Sequence, residues 1–578
     1  MRARESPSSA TMDAMLVLSA AEMQACDRAT TERFGVASID LMRAASSAVA
    51  AFARERFPRA RRVTVLCGRG NNGGDGMMTA RLLADLGLQV TTVLLGEPDS
   101  LKGDAAVAWH ELASPEHGTV HVVTTAEELA CFSEALNTDL IIDAVLGTGF
   151  KPPMKGLALD ALSWVLGSRA PMLSVDLPSG WAADSTEFMA ATPVFPSDAV
   201  VTFTAPKPAH VFGNLTRSWQ QPVVVAPIGS PGEAIVSTLK MEWAGSAISL
   251  VQAPRSVDSN KGKYGHVLVV GGTFGSAGGK AGAPAMAALG ALRIGAGLVT
   301  AAVPAPAMGV VSAIAPELMT WGLETSAAGA ISEDNLAPAK LDALLAGKTV
   351  LAIGPGMGQL PETIRFTMEL LAAAAIPAVI DADALNILAK TPQEIAELAS
   401  ARAIVLTPHP GEMARLTGIK IAEIQANRVE TARTFAQRTG VTLVLKGART
   451  LIAHPDGRIV VNTTGNPGMA KGGSGDLLTG FIAGMLAQFP GDLARVVDAS
   501  VYLHGLAADL TVRAGDEHTF LATDCLAYLP QAFRTGLSHF CNSGKSRYGW
   551  IQGIPRVEAV RSDEAVRCDE AVPGEVRA

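Results

Sequence analysis

The chain has 578 residues, of which 48% are hydrophobic and 18% are charged, and its formal net charge is −8. This length fits two large α/β domains, each long enough to bury a substantial core. The acidic balance argues against a broad basic surface, so we expect no nucleic-acid partner. An anionic nucleotide remains compatible with it, because backbone N–H groups also hold phosphate.

The compartment is indicated by what the chain lacks. No apolar run approaches the roughly 20 residues that a membrane span needs, so no membrane partner is expected. The short apolar stretch at 14–21 passes directly into a helical pattern, which argues against a signal peptide. The six cysteines match neither a zinc site nor a disulfide framework. We therefore predict a cytoplasmic protein, and we expect it to be a homo-oligomer.

The first half of the chain has the pattern of a parallel sheet. Residues 1–14 are expected to be a disordered leader, and a helical stretch follows from 19 to about 56. Ser19 and Glu22 form a capping-box pattern at its start. Short runs rich in Val, Ile and Leu then alternate with helical segments, which indicates βαβ units. The predicted strands are 62–68, 90–96, 140–146, 172–177, 199–204 and 223–227.

Polar residues collect where these strands end. A glycine-rich turn at 68–76 follows the first strand and can bring its backbone close to a phosphate or ribose. Three oxygen-bearing side chains in this turn, those of Asn71, Asn72 and Asp75, indicate a polar ligand or a hard cation. Asp143 and Asp176 end two later strands, at the edge where open α/β sheets bind ligands. The alternative is structural: a tight packing turn, and aspartates that cap a helix or turn.

These motifs resemble those of NAD(P)H-hydrate epimerase. The matching strings are 71–76, 143–149 and 176–180, and the likeness extends from about residue 15 to 229. The resemblance implies a Rossmann-like three-layer sandwich. A similar domain also occurs as a non-catalytic scaffold in RNA-decapping proteins, so a binding module remains an alternative.

The resemblance also assigns residues. Potassium would be bound by Asn72, Asp143 and Ser179, and Asp176 would be a catalytic acid or base at the hydrated ring. The residues expected to bind the damaged nucleotide are Asn71, Asn72, Gly73, Gly74, Asp75, Gly147, Thr148, Gly149, Phe150, Lys151, Pro152, Pro153 and Asp176.

A second α/β series follows a connection that we predict at 230–255. This second domain is expected at 256–537, and its predicted strands are 266–270, 298–303, 350–353, 378–380, 403–406, 442–446 and 459–462. The remaining residues, 538–578, contain a short degenerate charged repeat without an apolar face. We expect them to form a disordered tail.

The strongest signal in the second half is the glycine-rich run at 466–480. Gly472, Gly473 and Gly475 let backbone N–H groups converge where a helix begins, which makes an anion site. Asp476 lies in the first turn of that helix and is suited to accept a proton from a hydroxyl that attacks phosphorus. The alternative is that Asp476 is only the N-cap of the helix.

This run resembles the ribokinase-like superfamily and, within it, ADP-dependent NAD(P)H-hydrate dehydratase. Further matching strings lie at 263–272, 282–283, 293–299, 354–358, 381–386, 407–412 and 446–450. The resemblance implies a three-layer α/β/α domain that uses ADP, or ATP, with Mg2+. Asp383 and Asn386 would lie near the phosphate or the Mg2+.

The same resemblance assigns the two ligands of this domain. Asp476 would be catalytic, and His409 has a packed, hydrogen-bonded turn histidine as its alternative. The residues expected to face the hydrated dinucleotide are Ala283, Gly356, His409 and Asp476. Those expected to contact the adenine nucleotide are Lys446, Gly447, Ala448, Arg449, Thr450 and Gly475.

Together, the resemblances imply repair of hydrated NADH and NADPH, called NADHX and NADPHX. The first domain would interconvert the R and S epimers. The second would dehydrate the S form, with conversion of ADP to AMP and phosphate. Two alternatives remain open at this stage. The second domain would otherwise be a kinase that releases a stable phosphorylated product, and the first would otherwise be a binding module.

Overall fold

The computed structural model describes residues 14–251, 253–275, 278–541 and 548–554. The leader expected at 1–14 lies outside these residues except for its last position. The structure has two α/β domains, which confirms the predicted class. Within the described ranges, no helix is both long enough and apolar enough to cross a membrane.

The N-terminal domain is built on an eight-stranded sheet. Seven strands come from the first half of the chain: β1 (Arg62–Cys67), β2 (Gln89–Leu95), β3 (Thr119–Val123), β4 (Leu140–Ala144), β5 (Met172–Val175), β6 (Ala199–Phe203) and β7 (Val223–Ala226). The helices of this domain are α1 (Ala20–Phe34), α2 (Ser38–Arg56), α3 (Asn71–Asp85), α4 (Asp104–Leu112), α5 (Ala126–Cys131), α6 (Leu157–Val165) and α7 (Pro208–Phe212).

The C-terminal domain is built on a ten-stranded sheet. Its strands are β8 (Met241–Trp243), β9 (His266–Val270), β12 (Leu298–Pro304), β13 (Met319–Leu323), β14 (Val350–Ile353), β15 (Ala378–Ile380), β16 (Ile404–Leu406), β17 (Thr442–Leu445), β18 (Leu451–Ala453) and β19 (Ile459–Val461). A separate hairpin consists of β10 (Phe274–Gly275) and β11 (Gly278–Gly279). The last strand, β20 (Gly549–Gln552), belongs to the N-terminal sheet.

Helices cover the C-terminal sheet as well. They are α8 (Gly282–Ile294), α9 (Met308–Ser312), α10 (Pro338–Leu345), α11 (Pro361–Ala373), α12 (Ala382–Leu388), α13 (Glu394–Ala401), α14 (Pro410–Thr417), α15 (Ile421–Ala426), α16 (Arg428–Thr439), α17 (Ser474–Gln488), α18 (Leu493–Ala514) and α19 (Cys525–Cys541).

Parallel strands in both sheets are joined by crossover connections. The N-terminal order is β20-β7-β6-β5-β4-β1-β2-β3, and all pairs are parallel except β20 with β7. The C-terminal order is β13-β12-β9-β14-β15-β16-β17-β18-β19-β8, with antiparallel pairing only around β18. The side chains of β1 alternate between two cores: Val63 and Val65 pack with Phe52 of α2, whereas Leu66 packs with Val165 of α6.

The predicted helical stretch at 19–56 is two helices. Gly35 ends α1 in the left-handed region, at φ 73°, and α2 begins three residues later. The capping box of Ser19 and Glu22 is confirmed, because the Ser19 side chain accepts from the Glu22 N–H and the Glu22 carboxylate accepts from the Ser19 N–H.

Two predicted segments need correction. The connection at 230–255 contains β8, which pairs with β19 and so extends the C-terminal sheet. The tail at 538–578 contains β20, which pairs with β7 of the N-terminal sheet. Its residues 542–547 and 555–578, including the charged repeat, lie outside the described part. Neither strand has a long apolar run, so both escape a pattern-based prediction.

The two domains share one apolar core. It includes Trp181 and Phe212 from the N-terminal domain and Tyr502 from the C-terminal domain. Polar contacts also join the domains, since Arg449 donates to the carbonyl oxygen of Gly213 at 3.2 Å and to Gln552 Oε1 at 2.9 Å. The domains therefore form one packed unit.

A close helix contact generates the first prediction. A Cβ atom on Gly480 of α17 would lie 2.0 Å from the carbonyl oxygen of Ala287 in α8. We expect Gly480→Ala to destabilise the fold by about 1–3 kcal/mol, because the two helix backbones must separate. Gly309→Ala in α9 is the matched control, since a Cβ there meets nothing within 4 Å. Thermal unfolding should show a lower midpoint for Gly480→Ala only. Equal midpoints for both variants would contradict this packing.

Candidate active sites

A first cavity, of about 790 Å3, lies at the carboxyl ends of β1, β4, β5 and β6. Glycine-rich turns at these strand ends leave room for a ligand next to the backbone. Of the residues predicted to bind the damaged nucleotide, the cavity is lined by Asn71, Asn72, Asp75, Gly147, Thr148, Gly149, Phe150 and Asp176.

Five other predicted residues do not line this cavity. Gly73 and Gly74 are buried under the turn, where a Cβ on Gly73 would lie 1.8 Å from the carbonyl oxygen of Gly68. Both glycines are therefore closely packed, and their binding role stays a prediction. Lys151, Pro152 and Pro153 are exposed, beyond the end of the cavity.

Asp176 is held from several sides. It directly follows β5 with a φ of 65°, a strained conformation for a non-glycine residue. Its Oδ1 accepts from Lys207 Nζ at 2.9 Å and from Thr202 Oγ1 at 2.8 Å. Its Oδ2 accepts from the Thr148 N–H at 2.9 Å and also from the Thr148 hydroxyl. The carboxylate is therefore fixed in position at the wall of the cavity.

The Lys207 ammonium sets the charge of Asp176. Burial alone would raise the pKa of Asp176, but Lys207, whose side chain is almost fully buried, outweighs it and holds this pKa well below its usual range. Burial lowers the pKa of His210 to about 4, and the Lys207 charge adds to this effect. His210 is therefore neutral, and because its Nδ1 accepts from the Lys207 N–H, its Nε2 donates to the Asp176 carbonyl oxygen.

A second aspartate in the cavity has the opposite pKa shift. Burial raises the pKa of Asp75 well above its usual value, and the charges of Asp176, Asp27 and Asp104 raise it further. The cavity thus contains two carboxyl groups whose pKa values are shifted in opposite directions, that of Asp176 downward and that of Asp75 upward. Two carboxyl groups whose pKa values are pushed apart are suited to act as base and acid.

Of the three predicted potassium ligands, Asn72 lines the cavity, whereas Asp143 and Ser179 do not. Asp143 is fully buried and accepts from the Ser179 hydroxyl at 2.6 Å and from the Ser179 N–H at 2.8 Å. Burial raises the pKa of Asp143 to about 6. Asn72 approaches the same loop, since a Cβ on Gly147 would lie 3.0 Å from Asn72 Oδ1. Its buried Nδ2 has no hydrogen-bond partner within the described residues. The structure therefore brings the three residues into one neighbourhood.

A second cavity, of about 1000 Å3, lies in the C-terminal domain at its border with the N-terminal domain. All six predicted nucleotide-binding residues line it: Lys446, Gly447, Ala448, Arg449, Thr450 and Gly475. His409 lines it too. Arg449 has a φ of 53°, so the loop that follows β17 is strained as well.

The other residues predicted to face the dinucleotide lie outside this cavity. Ala283 and Gly356 are neighbours, because a Cβ on Gly356 would lie 3.3 Å from the Ala283 Cβ. Asp476 directly follows the cavity residue Gly475 at the start of α17. The predicted set therefore divides into the second cavity and an adjoining region.

Lys446 connects these two regions. Its Nζ donates to Asp381 Oδ1 at 2.9 Å and lies 3.8 Å from Glu412 Oε2. Asp381 Oδ2 accepts from Thr479 Oγ1 of α17 at 2.7 Å. Gly475 leaves space beside the ammonium group of Lys446, since a Cβ there would lie 3.4 Å from Lys446 Nζ. The ammonium group is thus fixed beside the first turn of α17.

Asp476 is not the N-cap of α17. Gly473 occupies that position, at φ 99°, and the cap carries no side-chain hydrogen bond, which corrects the purely structural alternative. Burial raises the pKa of Asp476 to about 6, and the Asp381 charge adds to it while Lys446 opposes both. The carboxyl is therefore ionised at neutral pH but close to its titration range, which suits a general base.

His409 fits both of its interpretations. Its Nδ1 caps α14 by accepting from the N–H groups of Gly411 at 3.0 Å and Glu412 at 3.4 Å. The ring also lines the second cavity, with 51% of the side chain exposed. Asp383 accepts from the Gly358 N–H at 3.0 Å. Asn386 is engaged by Arg415 at 2.5 Å, so its side chain already has a protein partner.

Sequence reasoning missed several residues of these sites. Lys207 lies four residues after β6, which is a strand-end position like those of Asp143 and Asp176. That position is the sequence feature from which a role for Lys207 in the site could have been predicted. Asp381 stands in a matched string but received no role. Phe188 and Trp219 of the N-terminal domain line the second cavity, and no local pattern indicates that.

Comparison with known proteins gives two family matches. Residues 38–209 match the YjeF-related protein N-terminus family, and residues 267–531 match the NAD(P)H-hydrate dehydratase family. The chain is 39% identical to the bifunctional NAD(P)H-hydrate repair enzyme Nnr of Moorella thermoacetica, over 90% of this chain and 97% of that protein. It is 35% identical to the enzyme of the same name from Coxiella burnetii, over 86% and 95% of the two chains.

The chain belongs to the bifunctional NAD(P)H-hydrate repair enzymes. The expectation of an epimerase domain joined to a dehydratase domain is thereby confirmed. A solved structure, ADP/ATP-dependent NAD(P)H-hydrate dehydratase from Bacillus subtilis co-crystallised with ATP and Mg2+, is 31% identical, with a TM-score of 0.42. It covers 51% of this chain and 97% of its own. Membership of this family supports neither of the two alternatives, that the second domain is a kinase releasing a stable phosphorylated product or that the first domain is only a binding module.

The Asp176–Lys207 pair generates a prediction for this repair enzyme. In Lys207→Gln, Asp176 loses its buried counter-charge, so the pKa of Asp176 should rise. We expect the epimerisation rate at neutral pH to fall by about 100-fold and the pH–rate profile to shift upward. The measurement is the interconversion of R and S epimers as a function of pH.

Two controls separate charge from folding in this experiment. Lys207→Arg retains a cation and should keep the profile closer to that of the wild type. Lys102→Gln changes an exposed lysine and should leave the rate unchanged. A Lys207→Gln enzyme with the wild-type pH profile would contradict the proposed control of Asp176 by this lysine.

Proposed function

We propose that the first cavity epimerises hydrated NAD(P)H with Asp176 as base and Asp75 as acid. Asp75 gives its proton to the 6-hydroxyl, which leaves as water with the electrons of the C6–O bond. The lone pair of the ring nitrogen stabilises the electron-poor C6 that results, as an iminium ion. Water returns to either face of C6 and loses a proton to a carboxylate. The opposed pKa shifts of the two aspartates in one cavity support these roles.

We propose that the C-terminal domain activates the 6-hydroxyl of the S epimer by phosphorylation. Asp476 takes the hydroxyl proton as the oxygen attacks the β-phosphate of ADP, and AMP departs. Phosphate then leaves C6 with the bonding electrons, C5 loses a proton, and NAD(P)H is restored. Phosphate leaves far more readily than hydroxide, which is the chemical purpose of the nucleotide. The partly buried Asp476 at the start of α17 is the observation that carries this proposal.

The remaining groups bind and orient. Residues 446–450 and Gly475 hold the nucleotide, and the N–H groups at the start of α17 stabilise the phosphoryl group as it transfers. Lys446 adds a fixed positive charge beside that turn. Ala283, Gly356 and His409 receive the hydrated dinucleotide. We propose ADP as the phosphoryl donor, with ATP as the second candidate.

The residues present fit a potassium ion. Asp143, Ser179 and Asn72 offer oxygen atoms, and a bound cation would balance the buried Asp143 carboxylate. These three residues would hold it, and its charge would support binding of the anionic dinucleotide. Gly147 joins this neighbourhood to the loop that lines the first cavity.

The residues present also fit Mg2+ that arrives with the nucleotide. No group of three or more His, Cys, Asp and Glu side chains in the described ranges could hold a metal ion. Mg2+ commonly binds through substrate phosphates and one or two carboxylates. Asp383 would provide a protein oxygen, and the ion would neutralise phosphate charge. Asn386, already bound to Arg415, is the weaker candidate.

We further propose a cytoplasmic location. The cysteines whose side chains the structure describes, Cys26, Cys67, Cys131 and Cys525, are free thiols, as expected in a reducing compartment. Assembly into a homo-oligomer stays a prediction, and light scattering on the purified chain would measure it.

The decisive experiment follows recovery of the reduced-nicotinamide absorbance from a mixture of R and S epimers, with ADP, Mg2+ and K+. Wild type should convert both epimers. Asp176→Asn should convert the S fraction and then slow to the spontaneous rate of epimerisation, whereas Asp476→Asn should convert neither epimer. Dehydration kcat/KM should fall below about pH 6, because Asp476 acts as a base only when it is ionised.

Asp160→Asn, which changes an exposed residue of α6, is the control and should match wild type. Accumulation of a stable phosphorylated product would contradict the repair mechanism and would indicate that the C-terminal domain is a hydroxyl kinase. Full conversion of the R epimer by Asp176→Asn at the wild-type rate would remove Asp176 from catalysis.

The potassium proposal predicts ion-specific stabilisation. A cation at a hundred times its dissociation constant adds about 2.7 kcal/mol to the stability of the state that binds it. Thermal unfolding in KCl should therefore occur at a higher temperature than in LiCl of equal ionic strength. Asp143→Asn should abolish the difference, and Asp160→Asn should keep it. Equal midpoints in the two salts for wild type would exclude this site.

A further inference from the structure

The second cavity has walls from both domains. Most of its lining belongs to the C-terminal domain, but one side is formed by the N-terminal domain through Phe188, Asn214, Arg217, Ser218 and Trp219. The sequence motifs assign these residues no role.

This wall contacts the 446–450 loop directly and reaches the glycine-rich run at 466–480 through Glu517. Trp219 Nε1 donates to Glu517 Oε1 at 2.6 Å, and a Cβ on Gly468 of the glycine-rich run would lie 3.1 Å from the Glu517 carbonyl oxygen. On the other side, the guanidinium carbon of Arg449 lies 5.9 Å from the centre of the Phe188 ring. The wall therefore has a fixed position relative to the cavity.

The two sides of the cavity differ in chemistry. The C-terminal side supplies Lys446, Lys471 and the N–H groups at the start of α17, which suit phosphate. Within the described residues that line the cavity, no phenylalanine, tyrosine or tryptophan comes from the C-terminal domain. The N-terminal domain provides both such rings, and that of Phe188 is 44% exposed although it is apolar.

An adenine nucleotide has the complementary division. Its phosphates need cations and N–H groups, whereas its base has two flat faces that stack on aromatic side chains. With the phosphates at the start of α17, the aromatic rings that line the same cavity are the available surface for the base.

We propose that Phe188 and Trp219 of the N-terminal domain form the adenine-binding wall of the dehydratase nucleotide site. This inference rests on the proposed nucleotide site at 446–450 and Gly475. The N-terminal domain thereby has a second role besides epimerisation: it completes the binding site of the other domain. Nucleotide affinity of the dehydratase then depends on both halves of the chain.

The test is calorimetric titration of the full-length enzyme with ADP and, separately, with AMP. Phe188→Ala and Trp219→Ala should each weaken binding of both nucleotides by about 10-fold. The factor should be the same for ADP and AMP, because the wall contacts the base and not the β-phosphate. Trp219→Phe keeps a ring while losing the hydrogen bond to Glu517, so it should bind ADP more tightly than Trp219→Ala.

Met189→Ala is the matched control. Met189 is the exposed neighbour of Phe188 and does not line the cavity, so ADP affinity should be that of wild type. Epimerisation by every variant should proceed at the wild-type rate, which also shows that the N-terminal domain is folded.

Lys446→Ala separates failure of this inference from failure of the nucleotide site itself. If Lys446→Ala weakens ADP binding while Phe188→Ala and Trp219→Ala do not, the proposal that the wall binds adenine is wrong and the proposed nucleotide site stands. If none of the three variants weakens ADP binding, the nucleotide site is wrong, and the wall with it. A raised KM for the hydrated dinucleotide with unchanged ADP affinity would assign the wall to the other substrate and overturn the inference.

Discussion

All strands of a parallel sheet end at the same edge, and both sites of this enzyme depend on that constraint. Asp176 follows β5, and Arg449 lies a few residues beyond β17, each with a positive φ in a non-glycine residue. Ala382, at the end of β15 and next to Asp381, has a φ of 51°. Such conformations persist only where the surrounding structure holds them. In both domains the strained positions mark the turns that bring polar groups to one edge.

The two proposed catalytic carboxylates are tuned by different surroundings. Asp176 is paired with the buried ammonium of Lys207, so its charge persists across the physiological range. Asp476 has Asp381 as a neighbour, and Lys446 is shared between the two carboxylates, so its pKa rises to about 6. One site therefore has a permanently charged base, whereas the other has a base that is sensitive to mild acid.

The sequence predicted the buried strands well, because a run of branched apolar residues between glycine turns has few other interpretations. β9, β14 and β15 have the predicted bounds. β3 is partly exposed and lacks such a run, and β8 has only three residues. β20 pairs with β7 across more than half of the chain, and no local pattern encodes that pairing.

The functional sites also divide into features that the sequence predicts and features that only the fold creates. Strand-end aspartates are local features, so Asp176 was predicted from the sequence, whereas the 446–450 loop was predicted from its resemblance to a known family. Lys207 acts through a contact that only the fold creates. Gly73 and Gly74 lie in a string that matches a binding motif, and the fold adds a packing requirement that the motif does not state: a Cβ on Gly73 would meet the backbone of Gly68, and one on Gly74 the side chain of Met42. The aromatic wall at the second cavity depends on how the domains pack, which the sequence of neither domain encodes by itself.

The position of β20 also has a consequence for the newly made chain. Domains generally fold as they emerge from the ribosome, beginning with the N-terminal one. In this chain β7 is the last strand of the N-terminal half, and its partner β20 is translated only after the whole C-terminal domain. The edge of β7 therefore stays unpaired for tens of seconds, at usual translation rates, on every nascent chain. A chaperone that shields bare strand edges would find its substrate there.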